Sequence, residues 1–185
     1  METSQDSLIL VNSDDQITGF ATKEEAHRGH GLPHRAFSIF LFDAHDNLLL
    51  HERSQEKPLW PGFWTNSCCS HPRRGEDILP AAKRRLFEEL GVRGSFRYVY
   101  QFDYQAQYLD VGSENEKCSV LLARMNSGDK LNIDPSEISE INWMTLDEID
   151  CWVSRETDCF TPWFLLEWSA LRSEYRNLVS DFLKS

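Results

Sequence analysis

The sequence predicts a mixed α/β domain, with strands first, one helix in the middle, more strands, and helices to the end. Three observations predict it. Residues 36–42 (AFSIFLF) and 47–52 (NLLLHE) are β-forming runs around the turn-forming Asp43-Ala-His-Asp46, a hairpin pattern. Ala82, Leu86 and Leu90 recur at i, i+4 and i+8 before a stop at Gly91, a helix pattern. Thr145-Leu-Asp-Glu148 is a capping box, and the apolar residues beyond it keep a helical period.

The remaining elements follow in order. Residues 8–12 form a short apolar run and predict a first strand. Residues 24–35 hold two Gly, a Pro and three His, and predict a loop. After Trp60-Pro-Gly62 the chain reads as extended to His71. The central helix is expected over 76–90, with Pro80 tolerated in its first turn. Strands are expected over 96–107, 117–124 and 140–144, and a short helix starts at the capping box. Thr161-Pro162 opens a long C-terminal helix whose apolar positions are Leu165, Trp168, Leu171, Tyr175, Leu178 and Phe182.

The length of 185 residues suits one domain, 1–185, and a chain of this size buries roughly 70% of its unfolded surface. The net charge of −11 argues against a nucleic-acid or anionic-membrane binder, while leaving room for a local basic pocket that takes a small anion. No stretch reads as an export signal or as a membrane span, and five Cys without scaffold spacing suit reduced thiols, so a cytoplasmic location is expected.

Three segments carry groups capable of chemistry. In Thr65-Asn-Ser-Cys-Cys-Ser-His-Pro72, alternation on an extended chain turns Cys69 and His71 to one face and Cys68 and Ser70 to the other. A buried small hydrophobe beside a surface His gives the same pattern. Glu114 and Glu116 likewise share a face, where two carboxylates repel unless a cation or a shared proton relieves them; an acidic surface loop is the plainer alternative. His27, His30 and His34 offer imidazoles, and a mixed His/carboxylate set suits Mn, Fe, Zn or Mg. The basic residues Lys23, Arg53 and Lys57, the helix charges Glu76, Arg84, Arg85, Glu88 and Glu89, and Trp163 are each compatible with ordinary surface or core roles.

Together, Trp60-Pro-Gly-Phe-Trp-Thr-Asn-Ser-Cys-Cys-Ser-His-Pro72, Glu114-Asn-Glu-Lys-Cys118 and Pro162-Trp163 resemble the type 1 isopentenyl diphosphate isomerases, a branch of the Nudix fold. The likeness runs from about Lys23 to Trp163. The wider Nudix signature fits at Glu76, Arg84, Leu86, Glu88, Glu89, Gly91 and Val92. It departs at Ser70, where a Gly is expected, and at Arg85, where a Glu is expected. A guanidinium cannot bind a metal, so Arg85 speaks against a Nudix diphosphohydrolase, one of two competing readings. The other is a non-catalytic metal-binding domain.

The resemblance implies an α+β, Nudix-like mixed β-sheet sandwiched by helices, and an enzyme of isoprenoid biosynthesis. It would interconvert isopentenyl and dimethylallyl diphosphate through a tertiary carbocation. It also implies roles. Cys69 and Glu116 match the catalytic pair, Tyr104 a phenol beside the Glu, and Trp163 the aromatic facing the hydrocarbon. Lys23, Arg53, Lys57 and Arg85 match diphosphate-binding positions. His27, His34, His71, Glu114 and Glu116 match the ligands of one Mn, Zn or Mg ion, and Glu89 a ligand of a Mg ion bound with the diphosphate. His30 has no counterpart. The implied partner is a small isoprenoid diphosphate, with no nucleic acid and no membrane insertion, in a monomer or homodimer.

Overall fold

A computed structural model describes residues 7–185. The start of the chain read for an export signal lies mostly outside that range. Strand β3 (His34–Phe42) organises the sheet, which has nine strands among the described residues. Along one edge β3 pairs in parallel with β8 (Gly112–Met125) over its whole length, from His34↔Glu116 to Phe42↔Arg124. Its other edge is shared antiparallel by β1 (Leu8–Val11) at His34, by β6 (Cys68–Ser70) at residues 37–39, and by β4 (Leu48–Arg53) at Phe42. Outward from these lie β2 (Ile17–Ala21), β5 (Trp64–Thr65), β7 (Gly94–Tyr108) and β9 (Ile138–Met144).

Both faces of β3 are buried, which is why its sequence is a nearly continuous apolar run. Phe37, Ile39 and Leu41 pack on one face with Leu49, Cys68 and Leu121, under Ala81, Ala82, Leu86 and Leu90 of α2 (Ile78–Leu90). Ala36, Phe40 and Phe42 pack on the other, with Val120 and Leu122 and under Ile149, Trp163, Phe164, Trp168 and Phe182. Those last residues come from α3 (Leu146–Arg155), α4 (Pro162–Arg172) and α5 (Arg176–Leu183). Helices thus sandwich a mixed sheet, as expected. Gly91 ends α2 at φ 72°, in the left-handed conformation that glycine adopts without strain.

Three expectations are corrected. The loop expected over 24–35 contains a helix, α1 (Lys23–His27), started by a capping box between Thr22 and Glu25. Only residues 28–33 stay irregular. The extended stretch over 60–71 is strand only in β5 and β6, because Trp60 (φ 48°) and Gly62 (φ 74°) turn the chain between β4 and β5. The long C-terminal helix is two helices. Arg172 is tied to Asp147 and Asp150 of α3 at the end of α4, and Tyr175 turns back to donate its N–H to the Ala170 carbonyl. Tyr175 stacks on Tyr100 of β7, ring centroids 4.3 Å apart. The apolar period survives because the turn changes the axis but not the buried side: Leu171, Val179 and Phe182 enter one core. Among the described residues no helix is long and apolar enough to cross a membrane.

Candidate active site

The register of β3 and β8 sets His34 beside Glu116. Alternation along β8 then divides its first turns of chain between two tasks. Ser113 and Asn115 grip the 28–33 loop, through the Gly29 carbonyl at 2.6 Å and the Gly31 carbonyl at 3.1 Å. Glu114 and Glu116 point at the imidazoles. A side chain on Gly31 would stand 3.0 Å from the Ser113 carbonyl oxygen, at a φ of 72°, so the loop lies this close only with glycine there. His27 enters from the last turn of α1, and His71 follows β6.

The result is five side chains, His27, His34, His71, Glu114 and Glu116, whose ligand atoms lie within 4.8 Å of one another. His27 Nδ1 is 2.5 Å from the Lys23 carbonyl and His34 Nδ1 is 2.7 Å from that of Leu32, so both rings hold their Nε2 toward the cluster. His27 Nε2 and Glu114 Oε2 are only 2.8 Å apart, yet neither makes a well-directed hydrogen bond. His34 Nε2, 3.7 Å from Glu116 Oε1, is also buried without a well-directed hydrogen bond. Atoms that crowd together but aim past each other are arranged around a common third point. Five N and O donors without a thiolate fit a divalent cation of the Mn, Zn or Mg class. His30 is exposed; its carbonyl takes a bond from Gln105, and its ring stands outside the cluster.

Burial alone would raise the Glu116 carboxyl, but His34, Tyr104 and His27 outweigh it and hold the group below its ordinary range. Tyr104 donates to its Oε2 at 2.7 Å, and His71 Nε2 is 3.0 Å from Oε1. Burial and the neighbouring imidazoles push His71 well down, whereas the Glu114 carboxylate outweighs burial to raise His27.

Cys69 faces the same space from β6. Its Sγ donates to Asn66 Oδ1 at 2.6 Å and accepts from Trp163 Nε1 at 3.2 Å. The Asn66 amide nitrogen is spent on the Ile39 and Cys68 carbonyls, so its oxygen is fixed as an acceptor for the thiol. Burial pushes the Cys69 thiol up to about 12. Cys68 turns the other way, into the core under α2, as alternation predicts. Ser70 is in β6 and not among the positive-φ residues, so this position makes no demand for glycine.

A cavity of about 370 Å³ is lined by Cys69, His71, Tyr104, Glu114, Glu116 and Trp163, and on its basic side by Lys23, Arg28, Arg53 and Lys57. Arg53 is fixed by the Leu59 and Trp60 carbonyls and stacks over Trp163 at 5.3 Å. His27 also lines it, and His34 lies fully buried behind. Arg85 and Glu89 are outside the lining. Arg85 bonds Glu89 at 2.5 Å, Glu88 at 2.8 Å and Glu137 at 2.8 Å. Glu137 also pairs with Lys57 and so joins Arg85 to the cavity wall. Burial opposes its ionisation, but Lys57 and Arg85 bring it down to about 2. Sequence reasoning missed Glu137, Asn66, Ser38 and Glu167. Asn66 alone carried a local signal, its place in the Thr65–Pro72 segment.

Residues 32–164 match the NUDIX domain family. DR0079 from Deinococcus radiodurans shares the fold with a TM-score of 0.63 at 24% identity, over 80% of this chain and 88% of that one. A MutT protein from Methanosarcina mazei does so with a TM-score of 0.57 at 14% identity, over 78% and 95%. Isopentenyl-diphosphate Delta-isomerase 1 of Photorhabdus laumondii is 35% identical over 89% of this chain and 93% of its own length. The chain belongs to the isopentenyl-diphosphate Delta-isomerase family. Relatives of that name occur in Serratia proteamaculans, 40% identical over 85% of this chain and 87% of its own, and in Schizosaccharomyces pombe, 34% identical over 85% and 78%. The isomerase relatives reach beyond the NUDIX match, whose first residue, 32, leaves Lys23 and His27 outside it.

Proposed function

We propose that this chain, acting as one domain, interconverts isopentenyl diphosphate and dimethylallyl diphosphate by protonation and deprotonation through a tertiary carbocation. The observation that carries this reading is the Cys69 thiol and the Glu116 carboxyl lining one cavity from two different strands, beside an indole and a row of cations. An unactivated alkene must gain a proton at C4 and lose one from C2, which requires two proton-handling groups within reach of a flat hydrocarbon.

Cys69 and Glu116 are those groups. Tyr104, bonded to Glu116 Oε2, steadies or relays its proton. Trp163 offers its π-face to the cation and excludes water, a contact worth about 0.5–2 kcal/mol. Lys23, Arg53 and Lys57 receive the diphosphate. Arg85 acts through Glu137 on Lys57, and Glu89, now paired with Arg85, would hold a magnesium ion bound with the diphosphate in exchange for that pairing. His27, His34, His71, Glu114 and Glu116 would hold one divalent ion, which would lower the pKa of the bound carboxyl and orient it.

The test is incubation with isopentenyl diphosphate and Mg²⁺ in D2O, read by NMR. The expected product is dimethylallyl diphosphate with deuterium in a methyl group and no phosphate released. Phosphate release without deuterium uptake would support the hydrolase reading instead; absence of both, in protein that has bound its metal, would support a non-catalytic metal site.

A further inference from the structure

One turn along α4 from Trp163, outside the cavity lining, is a buried acid that the proposed reaction does not use. Glu167 lies in mid-α4 on the face that carries Trp163, Phe164, Trp168 and Leu171, and none of its surface reaches solvent. Its Oε1 accepts the Cys118 thiol at 3.6 Å. Cys118 Sγ is 3.5 Å from Ser38 Oγ, and that hydroxyl is 3.7 Å from Cys69 Sγ. The contacts run from α4 across three neighbouring strands, β8, β3 and β6. Oε2 has no partner.

Among the described residues, no Lys, Arg or His pairs with Glu167, and the charge acting on it is the repelling Glu116 carboxylate. An ionised carboxylate there would have only a thiol and a hydroxyl to replace its lost hydration. Burial accordingly pushes the group up to about 8, with the Glu116 charge acting in the same direction. An apolar side chain of equal volume would fit this core at least as well, so stability does not account for an acid here.

What Glu167 supplies is an acceptor at the far end of a line of thiols and a hydroxyl. With the Cys118 S–H given to Oε1, the Ser38 hydroxyl is not called on to accept it and can turn its proton to Cys69. The Cys69 S–H is already given to Asn66, so its sulfur is free to accept from Ser38 and from Trp163.

We propose that Glu167 is held as a neutral carboxylic acid and is a positioning residue for Cys69, fixing the direction of the hydrogen bonds that reach its sulfur through Cys118 and Ser38. Its effect on turnover rests on the isomerase reading; its protonation state does not.

Infrared difference spectra of the wild type against Glu167→Gln test the protonation state without substrate. The expected signal at neutral pH is the carbonyl stretch of a protonated carboxylic acid that shifts in D2O. Carboxylate bands in its place overturn the proposal. Turnover tests the role. Glu167→Leu fills the space without an acceptor and should lower kcat about tenfold, the weight of roughly one hydrogen bond, with KM unchanged. Glu167→Gln keeps a neutral acceptor and should recover most of that loss. In a Ser38→Ala background Glu167→Leu should cost nothing further, because the line is already cut. Wild-type kcat in Glu167→Leu, or losses that simply multiply in the double variant, overturn the proposal. Should Glu167→Leu not fold, Glu167→Met, which fills the space flexibly, takes its place. A wild type that fails to isomerise would sink the functional reading, while the infrared band would still decide the state of Glu167.

Discussion

Adjacent residues can have opposite fates, and Cys68 and Cys69 are the sharpest case. Cys69→Ala should reduce turnover by about 10²–10⁴, the range for loss of a positioned proton carrier, and leave the metal content unchanged by elemental analysis. Cys68→Ala should keep most of the activity and cost about 1 kcal/mol of stability for the small cavity left under α2. Full activity in the Cys69 variant would remove it from the catalytic pair. Trp163 packs edge-on against Trp60 at 5.1 Å and bonds the Cys69 sulfur, so Trp163→Phe should retain part of the activity and Trp163→Ala far less, in steady-state kinetics. At this scale the strand rule read the cysteines and the two glutamates rightly, because alternation needs only the local chain. Ser38 and Glu167 were out of reach. Their partners lie on other strands and helices, and a one-dimensional pattern does not say which residue of a buried run will face a sulfur.

Elements were legible where their ends carry their own chemistry. The capping box at Thr145 and the stop at Gly91 are local contacts and were read from spacing alone. Thr22-x-x-Glu25 is the same device, yet the glycines and proline that follow α1 masked it. The break between α4 and α5 left no mark, since the apolar period runs through it and the cause, Asp150 holding Arg172, is tertiary. The segment before β9 is fixed by Glu137, which ties it to Lys57 and to Arg85 of α2. Its depressed pKa stabilises the fold above the ordinary carboxylate value of 4.5, and that contribution is lost as pH falls toward about 2. Glu137→Gln should therefore lower stability by about 2 kcal/mol at neutral pH, with the gap to wild type closing across that acid window in denaturant titrations. A gap that persists below it would mean that Glu137 acts by packing.

For the whole molecule, composition and element order led to the right class, but the pairing of β3 with β8 was hidden. A continuous apolar run shows that a strand is buried on both faces and does not name its neighbour. That pairing also assembles the His/Glu cluster, from residues as far apart as His27 and Glu116. A divalent ion at 100 times its Kd should add about 2.7 kcal/mol to the stability, seen as a rise in Tm that a chelator reverses. His71→Ala should abolish the rise and His30→Ala should leave it intact. The timing of assembly follows from the same pairing. Four separated segments carry the cluster, so a divalent ion would have nothing to hold until the long-range pairing of β3 with β8 has closed. It then acts as a latch. Metal should slow the unfolding limb of a chevron plot and leave the refolding limb where it was, so that the loaded protein persists longer without having formed any faster.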